Sequence, residues 1–362
     1  MLSIGIVGLP NVGKSTIFNA LTKSNVDALN YPFCTIEPNT GVVKVPDHRL
    51  NELAAKNVSG KIIYATVEFV DIAGLVRGAS QGAGLGNKFL SNIRETDAIC
   101  HILRLFDVHD IIHVEGRVNP KEDLEIIRLE LILADTEQVM KKLEPLNKIV
   151  KSPSAQKEDK ALHSALTKIL AVLSNNEMAN KAELDEEEEK IMKTFSLLTR
   201  KPELFVLNVD QNQITKSKTE LIAQAGIDAT PDQVVILCAS LEKELANMND
   251  ADAKEYLETL GIPEKGLDAL IKAGYKILNY KTFITSGEIE TRAWTITDGD
   301  TAPVAAGKIH SDFEKGFIRA EVANWKDVVD FGWGGCREKG KLGIVGKDYV
   351  VKDGDVMVVF HN

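Results

Sequence analysis

An α/β protein built around a mostly parallel, doubly wound sheet is the fold class this sequence predicts, and three observations predict it. A β-branched run at 4–7 meets a glycine-rich loop at 8–15 and then a helical pattern at 16–21, which is a strand–loop–helix unit. Further buried-looking runs at 41–45, 65–70, 98–105, 203–209 and 234–237 alternate with helical or turn signals. The 362 residues, 44% hydrophobic and 27% charged, give enough chain for two or three globular units.

After Asn119-Pro120 the strand pattern stops. Ile126, Leu129, Leu133, Met140 and Leu143 recur at spacings of three and four, with Thr136 filling the remaining seam position. Pro145 and the stretch 151–154 are expected to break that helix. A second helical pattern passes through Leu162, Leu166, Ile169 and Leu173, and a third has Leu184, Ile191 and Leu198 seven apart. Residues 120–199 therefore read as an inserted antiparallel helical hairpin or coiled coil, with the acidic run 186–189 as a solvated face. Strands return at 203–209 and 234–237, and helices near 253–260 and 266–278 close the sheet domain, whose expected extent is 1–119 plus 200–279. From 280 to 362 short β pieces at 281–284, 292–296, 316–323, 350–351 and 356–360 predict a separate small α+β domain.

The formal charge of −10 argues against coating nucleic acid through overall charge, though not against a local basic face. Cys34, Cys100, Cys238 and Cys336 form no metal-ligand spacing and read as reduced thiols. The opening at 1–9 lacks a basic leader and is too short to span a bilayer, so a first strand, no membrane segment and a cytoplasmic location are expected.

Gly8-Leu9-Pro10-Asn11-Val12-Gly13-Lys14-Ser15 matches GxxxxGK[ST] between a buried strand and a helix start, the P-loop context. Its backbone N–H groups and the helix N-terminus would cradle phosphate, Lys14 would neutralise the β- and γ-phosphates, and Ser15 would ligate Mg2+. Asn11, Val12, Gly13, Lys14, Ser15 and Thr16 are thus the expected phosphate-side contacts. Asp71-Ile72-Ala73-Gly74 ends a strand, so Asp71 can hold the metal through water while the Gly74 N–H senses the γ-phosphate. Thr35, in the loop before the second strand, can join the metal when the γ-phosphate is present. The glycine-rich stretch 74–86 is expected to be a loop that reorders at low strain, and it does not fit a dinucleotide fingerprint.

At the base end, Asn208-Val209-Asp210-Gln211 stands where a guanine-reading N-K-x-D would stand. Val209 replaces lysine and Gln211 replaces the clamping acid, which weakens guanine recognition. An Asn208 amide matches adenine's N6 donor and N7 acceptor, so ATP is the expected nucleotide. Leu75 stands where many GTPases carry a water-orienting glutamine, so hydrolysis needs another polar group and a low intrinsic rate is expected. His109 and His113 are both within the segment that could fold over the site. The Asn11 side-chain oxygen either helps hold K+ beside the phosphates or only stabilises the loop turn.

Four stretches carry a family resemblance: residues 8–16; Asp71-Ile72-Ala73-Gly74-Leu75-Val76 through Gly84-Leu85-Gly86-Asn87; Ala302-Pro303-Val304-Ala305-Ala306-Gly307-Lys308-Ile309-His310; and 312–322. Over essentially its full length the chain resembles the YchF/Obg-like ATPase family of translation-factor-class P-loop proteins. The resemblance implies a G-domain with an inserted coiled coil and a C-terminal TGS, β-grasp-like domain, ATP as substrate, and His113 as the water-positioning residue. Gln211 departs from the family's more usual glutamate. The resemblance further implies binding to the ribosome or ribosomal RNA, with Arg337, Lys339, Lys341 and Lys347 able to contribute if folding gathers them onto one face; a monomer is expected. Two other readings stay open: a GTPase of the same fold in ribosome assembly, and a nucleotide-bound scaffold with negligible turnover.

Overall fold

A computed structural model describes residues 2–23, 39–72, 84–107 and 117–362. In chain order, β1 (Ser3–Val7) and α1 (Lys14–Lys23) precede β2 (Thr40–Lys44), α2 (His48–Asn57), β3 (Ile62–Ile63) and β4 (Thr66–Asp71). Then come α3 (Gly84–Glu95) and β5 (Ala98–Arg104), and after them the insertion of α4 (Pro120–Ile149), α5 (Lys157–Ser174) and α6 (Glu186–Met192). The chain resumes with β6 (Glu203–Asn208), α7 (Lys218–Ala225), β7 (Val234–Leu237), α8 (Ala239–Leu245), α9 (Asp250–Thr259) and α10 (Gly266–Ile277). The tail holds β8 (Tyr280–Ser286), β9 (Thr291–Thr297), α11 (Ala302–Ile309), α12 (Ser311–Lys315), β10 (Phe317–Asn324), α13 (Trp325–Glu338), β11 (Gly343–Val345) and β12 (Asp355–His361).

The first sheet has the order β2-β4-β1-β5-β6-β7, and every neighbouring pair is parallel except β2 with β4. Its central strands β1, β5 and β6 are buried along their whole length, as continuous apolar runs require when both faces are covered. Register brings Ile6 beside Asp71 and Arg104 beside Asn208, so the C-terminal ends of β1, β4, β5 and β6 share one edge. Ligands bind at that edge in open α/β sheets.

The insertion is a helical hairpin, but its seam is not the expected one. Leu129, Leu133 and Met140 are 44%, 42% and 56% exposed, while Leu124, Ile127, Leu131, Val139, Leu143 and Leu146 are buried. The buried stripe also contains Asp123, Glu130 and Asp135, which disguise it in an apolar count. Asp135 is satisfied there by the Leu198 N–H (3.1 Å), the Thr199 N–H (2.8 Å) and the Thr199 hydroxyl (2.6 Å). Pro145 does not end α4, because it falls at an exposed position one turn before the helix terminus while Leu143 and Leu146 hold that turn in the hairpin core. The acidic run is not wholly solvated either. Glu188 is buried, taking the Ser164 hydroxyl at 2.6 Å and the Lys168 ammonium at 2.7 Å while closing a capping box with Asp185.

The tail is less separate than its composition suggests. Its sheet runs β11-β10-β12-β8-β9-β3, and β3, from the N-terminal part of the chain, pairs in parallel with β9. The expected strand at 350–351 is a single antiparallel bridge between Val350 and Thr301. Of the glycine-rich stretch 74–86 expected to be a loop, residues 84–86 belong to α3, and 74–83 lie outside the described residues.

Candidate nucleotide site

The phosphate loop leaves β1 at Val7 and enters α1 at Lys14. Two of its residues take left-handed backbone, Asn11 with φ 66° and Gly13 with φ 96°. Asparagine tolerates that region and supports the turn-stabilising reading of Asn11. Glycine at position 13 is required twice over, because a Cβ there would also lie 2.3 Å from Asn208 Nδ2. The Lys14 ammonium is paired with the Asp71 carboxylate across the β1–β4 edge.

A cavity of about 820 Å3 opens beside this pair, large enough for a nucleotide. Asn11, Gly13, Lys14, Ser15, Thr16, Asp71, Asn208 and Val209 line it together. Val12 differs: its side chain is core, and its carbonyl accepts a hydrogen bond from Asn208 Nδ2 at 2.9 Å. Thr35, Gly74, His109 and His113 lie outside the described residues.

Asn208 has a structural task beside the adenine contact expected of it. It is 2% exposed, its Nδ2 is spent on Val12, and its Oδ1 accepts the Ala239 N–H at 3.0 Å. The amide is therefore committed at both ends and braces the P-loop against the start of α8. Asp210 is engaged as well, accepting the Asp107 N–H at 3.3 Å and closing a capping box with Gln213. Gln211 is exposed at the start of that short 3-10 turn.

Four lining residues were missed by sequence reasoning: Phe106 after β5, and Ala239, Ser240 and Lys243 on α8. Arg104 was missed too. It is 1% exposed, donates to the Phe106 carbonyl at 3.1 Å and the Asn11 carbonyl at 3.4 Å, and stacks its guanidinium 4.3 Å from the Phe106 ring centre. An arginine closing a largely apolar strand was the available signal.

The tail's basic residues are largely spoken for. Arg337 donates to Glu321 at 2.9 Å, Lys341 pairs with Asp327 at 2.9 Å, and Lys339 sits 4.7 Å from the Phe331 ring centre. Of the expected four, Lys347 is exposed and makes no ion pair among the described residues.

Strand, phosphate loop, paired Lys14 and Asp71, and a base-sized recess at the C-terminal sheet edge together define a P-loop nucleotide-binding protein of the G-domain class. Residues 3–142 match the family model described as "50S ribosome-binding GTPase", and residues 280–362 match YchF-GTPase_C, described as "Protein of unknown function (DUF933)". The chain is 50% identical over 359 residues to the "Ribosome-binding ATPase YchF" of Haemophilus influenzae, covering 98% of this chain and 97% of that one. It is 47% identical over 365 residues to the Bacillus subtilis protein of the same name, covering 98% of each. The structure titled "Structure of the Schizosaccharomyces pombe YchF GTPase" superposes with a TM-score of 0.87 at 38% identity, covering 99% of this chain and 97% of that one. The chain belongs to the YchF family.

Proposed function

We propose that this chain is a cytoplasmic, monomeric ATPase that hydrolyses ATP to ADP and phosphate and acts as a nucleotide-dependent switch on the ribosome. The observation that carries the nucleotide reading is the base end of the cavity. The carboxylate that lines it from the 208–211 segment, Asp210, accepts the Asp107 N–H and closes a capping box with Gln213, and position 211, where a guanine clamp would need its acid, is an exposed glutamine. Adenine would instead be held by the Phe106 face and the Val209 edge, with polar reach from Ser240 and Lys243. The family relatives named as ribosome-binding ATPases support both halves of the reading.

At the phosphate end, Lys14 would leave Asp71 to hold the β- and γ-phosphates, and the freed carboxylate would turn toward the metal. Ser15, Thr35 and Asp71 are an all-oxygen set suited to Mg2+, which would neutralise phosphate charge. Asn11 could add a K+ contact there. Gly74 would sense the γ-phosphate, the role its D-x-x-G motif assigns, and His113 would position water in place of the missing glutamine, a role that rests on the family resemblance. The proposed units are 1–119 with 200–279 for nucleotide, and 120–199 and 280–362 as arms toward the ribosome. Direct competition tests the base reading: ATP should bind roughly tenfold tighter than GTP, within the range one bidentate contact supplies. Tighter GTP binding would overturn it. Ribosome association is tested by sedimentation of the full chain with ATP or ADP, and turnover too slow to respond to ribosomes would favour a scaffold.

A further inference from the structure

The side chain of Glu242 crosses from α8 to the first turn of α10, where its Oε1 accepts the Gly266 N–H at 2.7 Å. It is 1% exposed, and its Oε2 is buried without a hydrogen-bond partner. The junction is tight: a Cβ on Gly266 would lie 2.6 Å from Leu237 Cβ and 2.8 Å from Glu242 Oε1. The helix that Glu242 fixes is the one that supplies Ser240 and Lys243 to the nucleotide cavity, and Lys243 is its immediate neighbour.

We propose that Glu242 is a positioning residue for the base end of the nucleotide site, gripping the start of α10 and thereby fixing α8 with its Ser240 and Lys243. The inference rests on the ATP-binding reading above. Burial is the main cause that pushes the Glu242 carboxyl up to about 7, with the Gly266 and Leu267 N–H groups pulling the other way. The charged groups around it are Lys265 just before α10, Asp268 and Lys272 on α10, Lys44 on β2, and Asp47 and His48 at the start of α2. A raised carboxyl means that the closed junction is favoured while Glu242 is protonated and is lost progressively as pH rises through about 7. The ionised form carries a buried charge on Oε2 and gains by opening to water.

The test is equilibrium binding of ATP with Mg2+ to the full chain, wild type against Glu242→Gln, from pH 4.5, the ordinary carboxyl value, to pH 8.5. Taking the ratio of the two dissociation constants cancels the titration of ATP itself. The glutamine keeps the Oε1 acceptor and copies the neutral carboxyl, so the ratio should be near one at low pH and reach about threefold or more in favour of the variant at high pH. Glu242→Ala should weaken ATP at every pH while leaving the protein folded by circular dichroism. A ratio constant across the range, or unchanged affinity in Glu242→Ala, would overturn the assignment and mark Glu242 as a helix cap only. Failure of the wild type to bind ATP at any pH would instead defeat the ATP reading on which the assignment rests.

Discussion

Position 13 joins the phosphate loop to the base side of the site through a single missing atom. Gly13 sits at φ 96° with no room for a Cβ beside Asn208 Nδ2, and the same amide holds the Val12 carbonyl and the Ala239 N–H. Gly13→Ala must therefore strain the backbone and push Asn208 out of its brace, at a cost on the order of 1–3 kcal/mol. Nucleotide affinity should fall more than about tenfold, since the loop that aims the N–H groups is the part displaced. Calorimetric titration with ATP checks it, and wild-type affinity in a folded Gly13→Ala protein would be incompatible with the geometry. The octet at 8–15 was legible because each residue type has a direct task at phosphate. The bracing roles of Asn208 and Arg104 were not, because an asparagine or arginine spent on backbone carbonyls looks in sequence like one offered to a ligand.

Among the elements, α4 shows how a helix serving two cores escapes a heptad reading. Its first half packs Ile127 and Leu131 against the sheet, and its second half packs Val139, Leu143 and Leu146 into the hairpin. The strands of the first sheet were read nearly to the residue, since continuous apolar runs have no phase to mistake; a helix face has one, and three buried acids shifted it. What fastens α4 to the sheet is polar. Arg128 donates to Glu203 on β6 at 2.5 and 3.2 Å, and Glu203 also meets His101 on β5 at 2.9 Å. Burial alone would raise the Glu203 carboxyl, but His101 and Arg128 outweigh it and hold it at about 2. A depressed carboxyl contributes stability that is present above its ordinary value near 4.5 and is lost as pH falls toward 2. Arg128→Ala should cost about 2–3 kcal/mol at pH 7 by leaving a buried carboxylate with His101 as its remaining partner, and less at pH 2, where Glu203 takes up its proton. Urea unfolding at the two pH values measures the difference, and an equal cost at both would contradict the role given to Glu203.

At the scale of the whole molecule, the nucleotide domain and the tail are one packing unit. Ile284, Ala293, Ala323, Val328, Cys336 and Val356 of the tail belong to the same buried cluster as Ile4, Phe69 and Leu270 of the first sheet and its covering helix. Strand β3 extends the tail sheet, and the α2–β3 turn is stitched to the β8–β9 turn by Gly60 N–H to the Glu288 carbonyl at 2.9 Å and the Ser59 hydroxyl to the Gly287 carbonyl at 2.6 Å. From α10, the Tyr275 hydroxyl sits 2.9 Å from that of Thr282 and 3.1 Å from that of Thr295. A composition shift near residue 280 marks a change of secondary structure; the shared core across it is invisible in a linear string. The two parts should therefore unfold together, with calorimetric and van't Hoff enthalpies that agree across residues 1–362. Ending the chain at Leu278 strips that cluster of its tail members and leaves β3 without its partner strand, so the shortened protein should melt more than about 10 °C lower and aggregate through the exposed apolar surface. Two resolved transitions in the full chain, or a shortened chain that keeps the parent melting temperature, would show that the tail is docked by its linker and not by its core.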